Sequence, residues 1–439
     1  MLSLVGVLAG LSFATPSRAE TLLEVYRLAL DNDPRYRAAR AEARAASTAI
    51  DQARAGFLPT VKLDVERTET RQEVLRSQNP IFGTGSTTFA TDNETLSVTQ
   101  PIFRKDVIER LKQAQAVVRQ ASYTVLAAQH DLMLRTAAAY LVVLAATDSL
   151  RLARAEREAV GRALDLARER LKMGLGTIVS EHDAAARFAV TQARELDAEY
   201  RLRDARQGLR EITGRTIEQT QSLRQEARLE SPQPPVVERW VEAALAQNMG
   251  LRARTEAVEV ARQEVERQRG AYWPSFNLVW SHNRRDAGST LFGGGSKVET
   301  ADLTLRLTVP IFEGGLTQAV TEEAAHRYQK SLEDLEQERR SVERATRGAY
   351  EGTLVGESLI RALRQSVVSQ QSALQAKEEG YKSGLFTLLP VLDAQRDLYL
   401  AMRDLAQARY EHLLTRLKLK QAAGSLSEAD LELIAAALQ

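Results

Sequence analysis

At 439 residues the chain has the length of two or three compact domains, yet only 5% of it is aromatic while 27% is charged. That is a thin supply for globular cores and a good one for long helices packed through small side chains. A net charge of +1 gives no basic footprint for nucleic acid, and the absence of cysteine excludes a disulfide framework, a thiol nucleophile and a lipid-modified N-terminal cysteine.

Residues 1–19, MLSLVGVLAGLSFATPSRA, read as a secretory signal peptide: an apolar run from Leu2 to Ala14, then Ser17-Arg18-Ala19, with small residues at the positions a signal peptidase reads. The exported chain would begin at Glu20. No later apolar run approaches the roughly 20 residues of a membrane helix. The longest, Ala137 to Ala146, is half that. Any membrane crossing is therefore expected to use strands.

Helical periodicity from Ala38 to Gln52 ends ahead of Leu58-Pro59. Period-two alternation follows, Val61, Leu63 and Val65 against Lys62, Asp64 and Glu66, then Leu96, Val98 and Ile102 against Thr95, Ser97 and Thr99. Between these strands, NPIFGTGSTTFATDN (79–93) reads as a loop, with the sequon Asn93-Glu94-Thr95 at its end. Leu111, Ala114, Val118, Ala121, Val125, Ala128 and Leu132 then step by three and four, a coiled-coil seam. From Asp106 to Leu171, roughly 65 residues at 1.5 Å each make about 100 Å of helix, longer than a bilayer is thick. The turn KMGLGTIVSEHDA (172–184) ends it, and a second helix returns over Ser180 to Ile212.

After the proline-rich SPQPPVVERW (231–240) the same order recurs. A helix from Leu251 to Gln268 runs into Trp273-Pro274. Phe276, Leu278 and Trp280 alternate with Asn277 and Ser281, and RRDAGSTLFGGGSK (284–297) reads as a hairpin loop. Its GGGSK lacks the spacing and the strand-to-helix setting of a phosphate-binding loop. Leu303, Leu305, Leu307, Val309 and Ile311 then alternate with Thr304, Arg306 and Thr308, and Tyr328, Leu332, Leu335, Val342 and Ala349 sketch a second long seam. The second turn, KSGLFTLLPVLDA (382–394), repeats the first at an offset of 210, with matches at Lys172/Lys382, Gly174/Gly384, Leu175/Leu385, Thr177/Thr387, Asp183/Asp393 and Ala184/Ala394. A helix over Pro390 to Ala423 returns, and Ser427 with Asp430 would cap a last short helix. The chain is thus a whole-length duplication: signal peptide 1–19, first repeat 20–225, an equatorial linker 226–240, second repeat 241–439.

Four amphipathic strands leave two sheet edges that lipid cannot satisfy, and closing a barrel takes about eight strands or more. Several copies must therefore contribute strands to one barrel. Lys62, Asp64, Thr304 and Arg306 would line a wet lumen, the apolar face would meet lipid, and Phe57, Tyr272, Trp273, Phe103 and Phe312 would form an interfacial aromatic girdle. The fold class is mainly α: a long coiled-coil tunnel with a membrane β-barrel.

GFLP, QPIF and VPIF, AAAYLVVLAA, LREITG and VLDAQRDLYLAMRDLAQARYEHL carry a resemblance along nearly the whole exported chain: it resembles the TolC family of outer-membrane efflux and secretion channels. The resemblance implies a homotrimer with a twelve-stranded barrel in outer-membrane lipid and a twelve-helix tunnel through the periplasm. It further implies an exit duct for type I protein secretion or multidrug efflux, opened by a periplasmic adaptor (membrane fusion protein) and an inner-membrane transporter of ABC or RND type. The two quoted turns would be the periplasmic tips. Gly174, Leu175, Thr177, Gly384, Leu385 and Thr387 would dock the adaptor, and the inner hairpin from Tyr381 to Asp393 would close the pore. Asp393 falls where the family rings its pore with carboxylates, which would favour cations. The second ring aspartate is replaced by Pro390, the arginine of the gate latch by Phe386 and its acidic partner by Ser180, so closure would rest on Phe386 packing beside the retained Tyr381.

His130, His182, His282, His326 and His412 form no ligand spacing, and neither a nucleotide loop nor an elbow serine is present, so no enzyme, metal or cofactor is expected. The competing reading is an exported coiled-coil scaffold or adhesin whose strands merely cap the helices.

Overall fold

A computed structural model describes residues 20–76, 85–221, 232–289, 294–436 and 438; the expected signal peptide lies outside them. The elements are α1 (Leu22–Asn32), α2 (Pro34–Ser47), α3 (Ala49–Ala55), β1 (Thr60–Val74), β2 (Gly85–Phe103), α4 (Lys105–Lys172) and α5 (Ile178–Thr213), then α6 (Val237–Gln247), α7 (Met249–Arg269), β3 (Ser275–Ala287), β4 (Ser296–Thr308), α8 (Leu316–Lys382), α9 (Leu388–Ala422) and α10 (Glu428–Ala436). Three helices in the first half and two in the second each lead into two strands and a long helical hairpin. The chain divides into two compact units: Met1–Arg40 with Val125–Met249 and Arg339–Gln439, and Ala41–Thr124 with Gly250–Glu338.

The second unit holds one antiparallel sheet in the order β1-β2-β3-β4. Its register separates the two faces. Val61, Val98, Trp280 and Leu303 stand side by side across the four strands, with Leu278 and Leu305 on the same face; Lys62, Ser97, Ser281 and Asp302 form the adjacent row on the other face, followed by Asp64, Thr95, Asn283 and Thr300. On the polar face Asn283 Nδ2 donates to Asn93 Oδ1 and Thr95 Oγ1, both at 2.7 Å. On the apolar face Leu303, Leu305 and Leu307 are 70%, 62% and 61% exposed, an arrangement a lone chain in water has no reason to keep. At the end of the sheet where β1 and β3 begin, the Phe103 and Trp273 rings meet edge to face with centroids 6.5 Å apart, where a girdle is expected.

Four stretches differ from the sequence reading. The helix expected over 38–52 is two helices, because the Ser47 and Thr48 hydroxyls donate to the Arg44 and Ala45 carbonyls and compete with the helical ladder at that point. Much of the loop expected at 79–93 is strand, since β2 starts at Gly85; likewise β3 reaches Ala287 and β4 starts at Ser296, inside the loop expected at 284–297. Thr87, Thr88 and Thr91 are β-branched residues that suit a half-polar sheet as well as they suit a loop. The alternation at 303–311 outruns β4, which stops at Thr308, and Pro310 has no N–H with which to continue the ladder.

The first unit's core is α-helical, built from Leu22, Val25 and Tyr26 of α1, Leu132, Tyr140 and Leu144 of α4, Leu209 of α5, Leu413 and Leu417 of α9, and Leu431 of α10. By length and composition, one 18-residue window of α4 is apolar enough to pass for a membrane span. The core side chains that α4 supplies account for such apolarity in a helix that packs against protein. Tyr140 ties the layers together: its hydroxyl donates to the Glu20 carbonyl at 2.9 Å and accepts from the Gln221 N–H at 3.1 Å, and burial pushes its pKa up to about 12. At the start of α10, the Asp430 carboxylate accepts from the Ser427 N–H at 2.9 Å and from its hydroxyl at 3.1 Å, one half of the cap expected from sequence, and also pairs with Lys420.

One buried group makes stability pH-dependent. His412 of α9 is fully enclosed and neither ring nitrogen has a hydrogen-bond partner among the described residues. Gly356 of α8 faces it so closely that a Cβ there would lie 2.9 Å from Nδ1. Burial lowers its pKa and Arg416 lowers it further, against the opposing pull of Glu357. The folded value lies below the ordinary 6.5, so the unfolded chain binds the proton first. The stabilisation is complete above about pH 6.5 and is lost as pH falls. His412→Leu is expected to leave neutral-pH stability within about 1.5 kcal/mol and to flatten the decline in thermal midpoint from about pH 6.5 downward. Melts across that range, with an unchanged acid slope in the variant, would remove His412 as the cause.

Candidate functional site

The expected tips lie in the first unit and are the same turn built twice. Each long helix ends in a Schellman motif. Gly174 N–H bonds the Leu171 carbonyl at 3.0 Å and Leu175 N–H bonds Arg170 at 2.9 Å; Gly384 N–H bonds Tyr381 at 3.2 Å and Leu385 N–H bonds Gly380 at 2.8 Å. Gly174 and Gly384 sit at φ +74° and +79°, the left-handed conformation that favours glycine there. Lys172 and Lys382 pair with the equivalent acids Glu169 and Glu379. A Schellman turn usually folds its next apolar residue back onto the helix. Here Leu175 and Leu385 are instead 74% and 75% exposed, and Met173, Ile178 and Val179 beside Leu175 are exposed as well.

The return helices differ. Thr177 caps α5, its Oγ1 accepting from the Ser180 N–H at 3.2 Å, so Ser180 serves the outer turn as part of a cap. Thr387 holds the same place before α9 but makes no cap bond. The third helical residue there is Pro390, which has no N–H to offer it. Phe386, in the turn, is seated back on the end of α8: a Cβ on Gly380 would run into its ring, and the Phe386 N–H bonds the Gly380 carbonyl at 3.1 Å. Tyr381 is half-buried against Leu164, Ala184, Leu388 and Leu392, and the Arg170 guanidinium lies 4.9 Å from its ring centroid, a cation–π contact between α4 and α8.

Asp393 is not a free carboxylate. Arg187 of α5 donates to its Oδ1 at 2.6 Å, and Arg396, one turn along α9, approaches the same oxygen at 3.4 Å while also holding Asp397 at 2.7 Å. Deeper in the unit, Glu156 of α4 pairs with Arg194 of α5 at 2.9 Å and borders a cavity of about 290 Å³ shared with Arg201, Tyr399 and Arg403. Burial raises the Glu156 pKa against the pull of Arg194, Arg187 and Arg403. Sequence reasoning missed Arg187, Arg170 and Arg396. A signal was present in the duplication, where Arg187 stands at the position equivalent to Asp397, a reversal of charge between the copies.

The profile of the outer membrane efflux protein family matches residues 25–215 and 240–425, one stretch in each half. The outer membrane protein TolC of Vibrio cholerae is 33% identical over 414 residues, 94% of this chain and 92% of that protein. The alkaline protease secretion protein AprF of Pseudomonas aeruginosa is 30% identical over 94% of this chain and 86% of its own length. Among solved structures, the Campylobacter jejuni CmeC outer membrane channel superposes with a TM-score of 0.81 over 98% of this chain and 95% of that one, at 14% identity. With the family profile covering both halves and relatives at this identity spanning almost the full length, the chain belongs to the outer membrane efflux protein family.

Proposed function

We propose that the chain forms a homotrimeric outer-membrane duct through which type I secretion substrates or small toxic solutes leave the cell. The register of the four-stranded sheet carries this reading. One face is apolar and exposed, the other polar, and β1 and β4 are left as edges that only further copies can close inside lipid. Three copies bring twelve strands, enough for a barrel with a wet lumen. The kinship with an alkaline protease secretion protein supports the first cargo class, and the family description, outer membrane efflux protein, supports the second. Transport energy would come from an inner-membrane ABC or RND-type transporter coupled through a periplasmic adaptor. The exposed leucines at both turns, with Thr177 and Thr387 behind them, are the surface we assign to that adaptor.

The inner turn is assigned to the closed end of the pore, held by packing: Phe386 on Gly380, Tyr381 in its apolar nest, and Pro390 leaving α9 without a side-chain cap. Purified protein in a planar bilayer is expected to give stepwise single-channel currents. Phe386→Ala should raise the conductance step on the order of twofold if the ring limits the aperture. An unchanged step would move the constriction elsewhere. Correctly folded oligomers that never conduct, or recovery of the chain as soluble fibres, would favour an exported coiled-coil scaffold instead.

A further inference from the structure

Resting on the channel reading above, we infer that the pore mouth of this protein is charge-compensated from within each protomer, and that Arg187 is the residue that sets its ion selectivity. The carboxylate expected to ring the mouth, Asp393, is only 38% exposed at its side chain and shares its Oδ1 with two guanidinium groups, Arg187 at 2.6 Å and Arg396 at 3.4 Å. Arg187 is itself largely buried, 18% exposed, so the pair is held by packing and is less open to screening than a surface ion pair.

The compensation continues along the same helices. Asp397 is held by Arg396 at 2.7 Å, Asp404 by Arg403 at 3.0 Å, and Glu156 by Arg194 at 2.9 Å. Asp393, Asp397, Asp404 and Glu156 thus each have a guanidinium at contact distance. A ring of such pairs presents dipoles to a passing ion in place of net negative charge, and a dipole's attraction for a cation falls off faster than that of a bare carboxylate. The mouth therefore has weak cation preference and little affinity for multivalent cations. Arg187 comes from α5 and Asp393 from α9, 206 positions apart, so the charge of the inner hairpin is set by a residue of the outer one. Arg187 acts through Asp393 and is a positioning residue in this sense.

Reversal potentials and block by a lanthanide trivalent cation, measured on single channels of the full-length protein, test this directly. Wild-type pores should be weakly selective and nearly insensitive to the lanthanide. Arg187→Gln should become cation-selective and gain at least about tenfold in lanthanide affinity, the factor that 1.4 kcal/mol of added attraction gives. Arg187→Lys should behave as wild type, and Arg187→Gln combined with Asp393→Asn should lose the block again. Thermal melts of the same variants separate charge compensation from a folding role, which would move the melting midpoint and leave selectivity and block unchanged. Wild-type pores that are already strongly cation-selective and blocked, with Arg187→Gln no different, would overturn the inference while leaving the channel in place. Wild-type oligomers without current would overturn the channel reading, and the inference with it.

Discussion

Arg135→Met is expected to lower the stability of the first unit by about 3–5 kcal/mol, the range seen when one partner of a buried ion pair is removed. Asp33, between α1 and α2, is 2% exposed. Its two oxygens take a fork from Arg135, Nη1 at 3.0 Å to Oδ2 and Nη2 at 3.1 Å to Oδ1, and Oδ1 also accepts the Tyr36 N–H at 2.7 Å. The carboxylate thus caps α2, whose first residue is Pro34, and fixes that cap to α4 through Arg135. Burial by itself would raise the Asp33 pKa, but the Arg135 hydrogen bonds, the Tyr36 N–H and the nearby arginine charges outweigh it, and the folded value lies below the ordinary 3.8. The contribution is therefore complete above about pH 4 and disappears as pH falls through the depressed folded value. Methionine matches the length of the arginine stem but leaves Asp33 buried and unpaired. Denaturant unfolding of the detergent-purified protein, followed by far-UV circular dichroism, reads the loss. Adding Asp33→Asn to Arg135→Met should recover part of it, since the amide can still cap the helix without a buried charge. A single-variant loss below about 1 kcal/mol would show that the pair is no more than a surface contact.

Gly424→Ala should be nearly as damaging, and much more so than the same change at the tips. Gly424 follows α9 at φ +72° in a Schellman motif, its N–H bonded to the Gln421 carbonyl and the next N–H, of Ser425, to that of Lys420. A Cβ there would lie 2.4 Å from the Gln247 carbonyl oxygen and 2.5 Å from its carbon, both backbone atoms at the end of α6, which cannot swing away as a side chain does. The left-handed conformation costs about 1–2 kcal/mol for a non-glycine residue, and forced overpacking adds about 1–3. At Gly384 the backbone conformation is the same, but no atom lies within 4 Å of the added methyl, so only the first cost applies. A thermal-midpoint loss for Gly424→Ala well beyond that of Gly384→Ala is the expected order. Equal losses would show that α6 yields.

The long elements were legible because periodicity sums over many residues. The seam from Leu111 to Leu132 belongs to one helix and none of its residues is exposed. The repeated turns were legible down to the glycine and the leucine after it, since a Schellman motif imposes residue types at fixed offsets. Strand ends were under-read where threonines, and one glycine, serve a half-polar strand and a loop equally well, as from Gly85 to Thr91. Asp393 illustrates the limit at the site. Its place in the turn was visible, but its partner Arg187 lies in the other half of the chain, and a pairing between two return helices leaves no local pattern. The duplication offered the one clue, a charge reversal at equivalent positions, without saying which acid the arginine would choose.

The enclosed His412 and the bare Gly356 opposite it have a further consequence for how the two halves have diverged. At the equivalent offset the first half carries Leu202 and Ala146, both at the first unit's core. Where the second copy places a glycine the first has a methyl, and where the second places an imidazole the first has an isobutyl group of comparable bulk. The second copy cannot adopt the first's methyl singly: alanine at 356 would press on the ring. At these positions the two long hairpins follow the same helical pattern and fill it differently, so a packing change tolerated in one hairpin is no guide to the same change in the other.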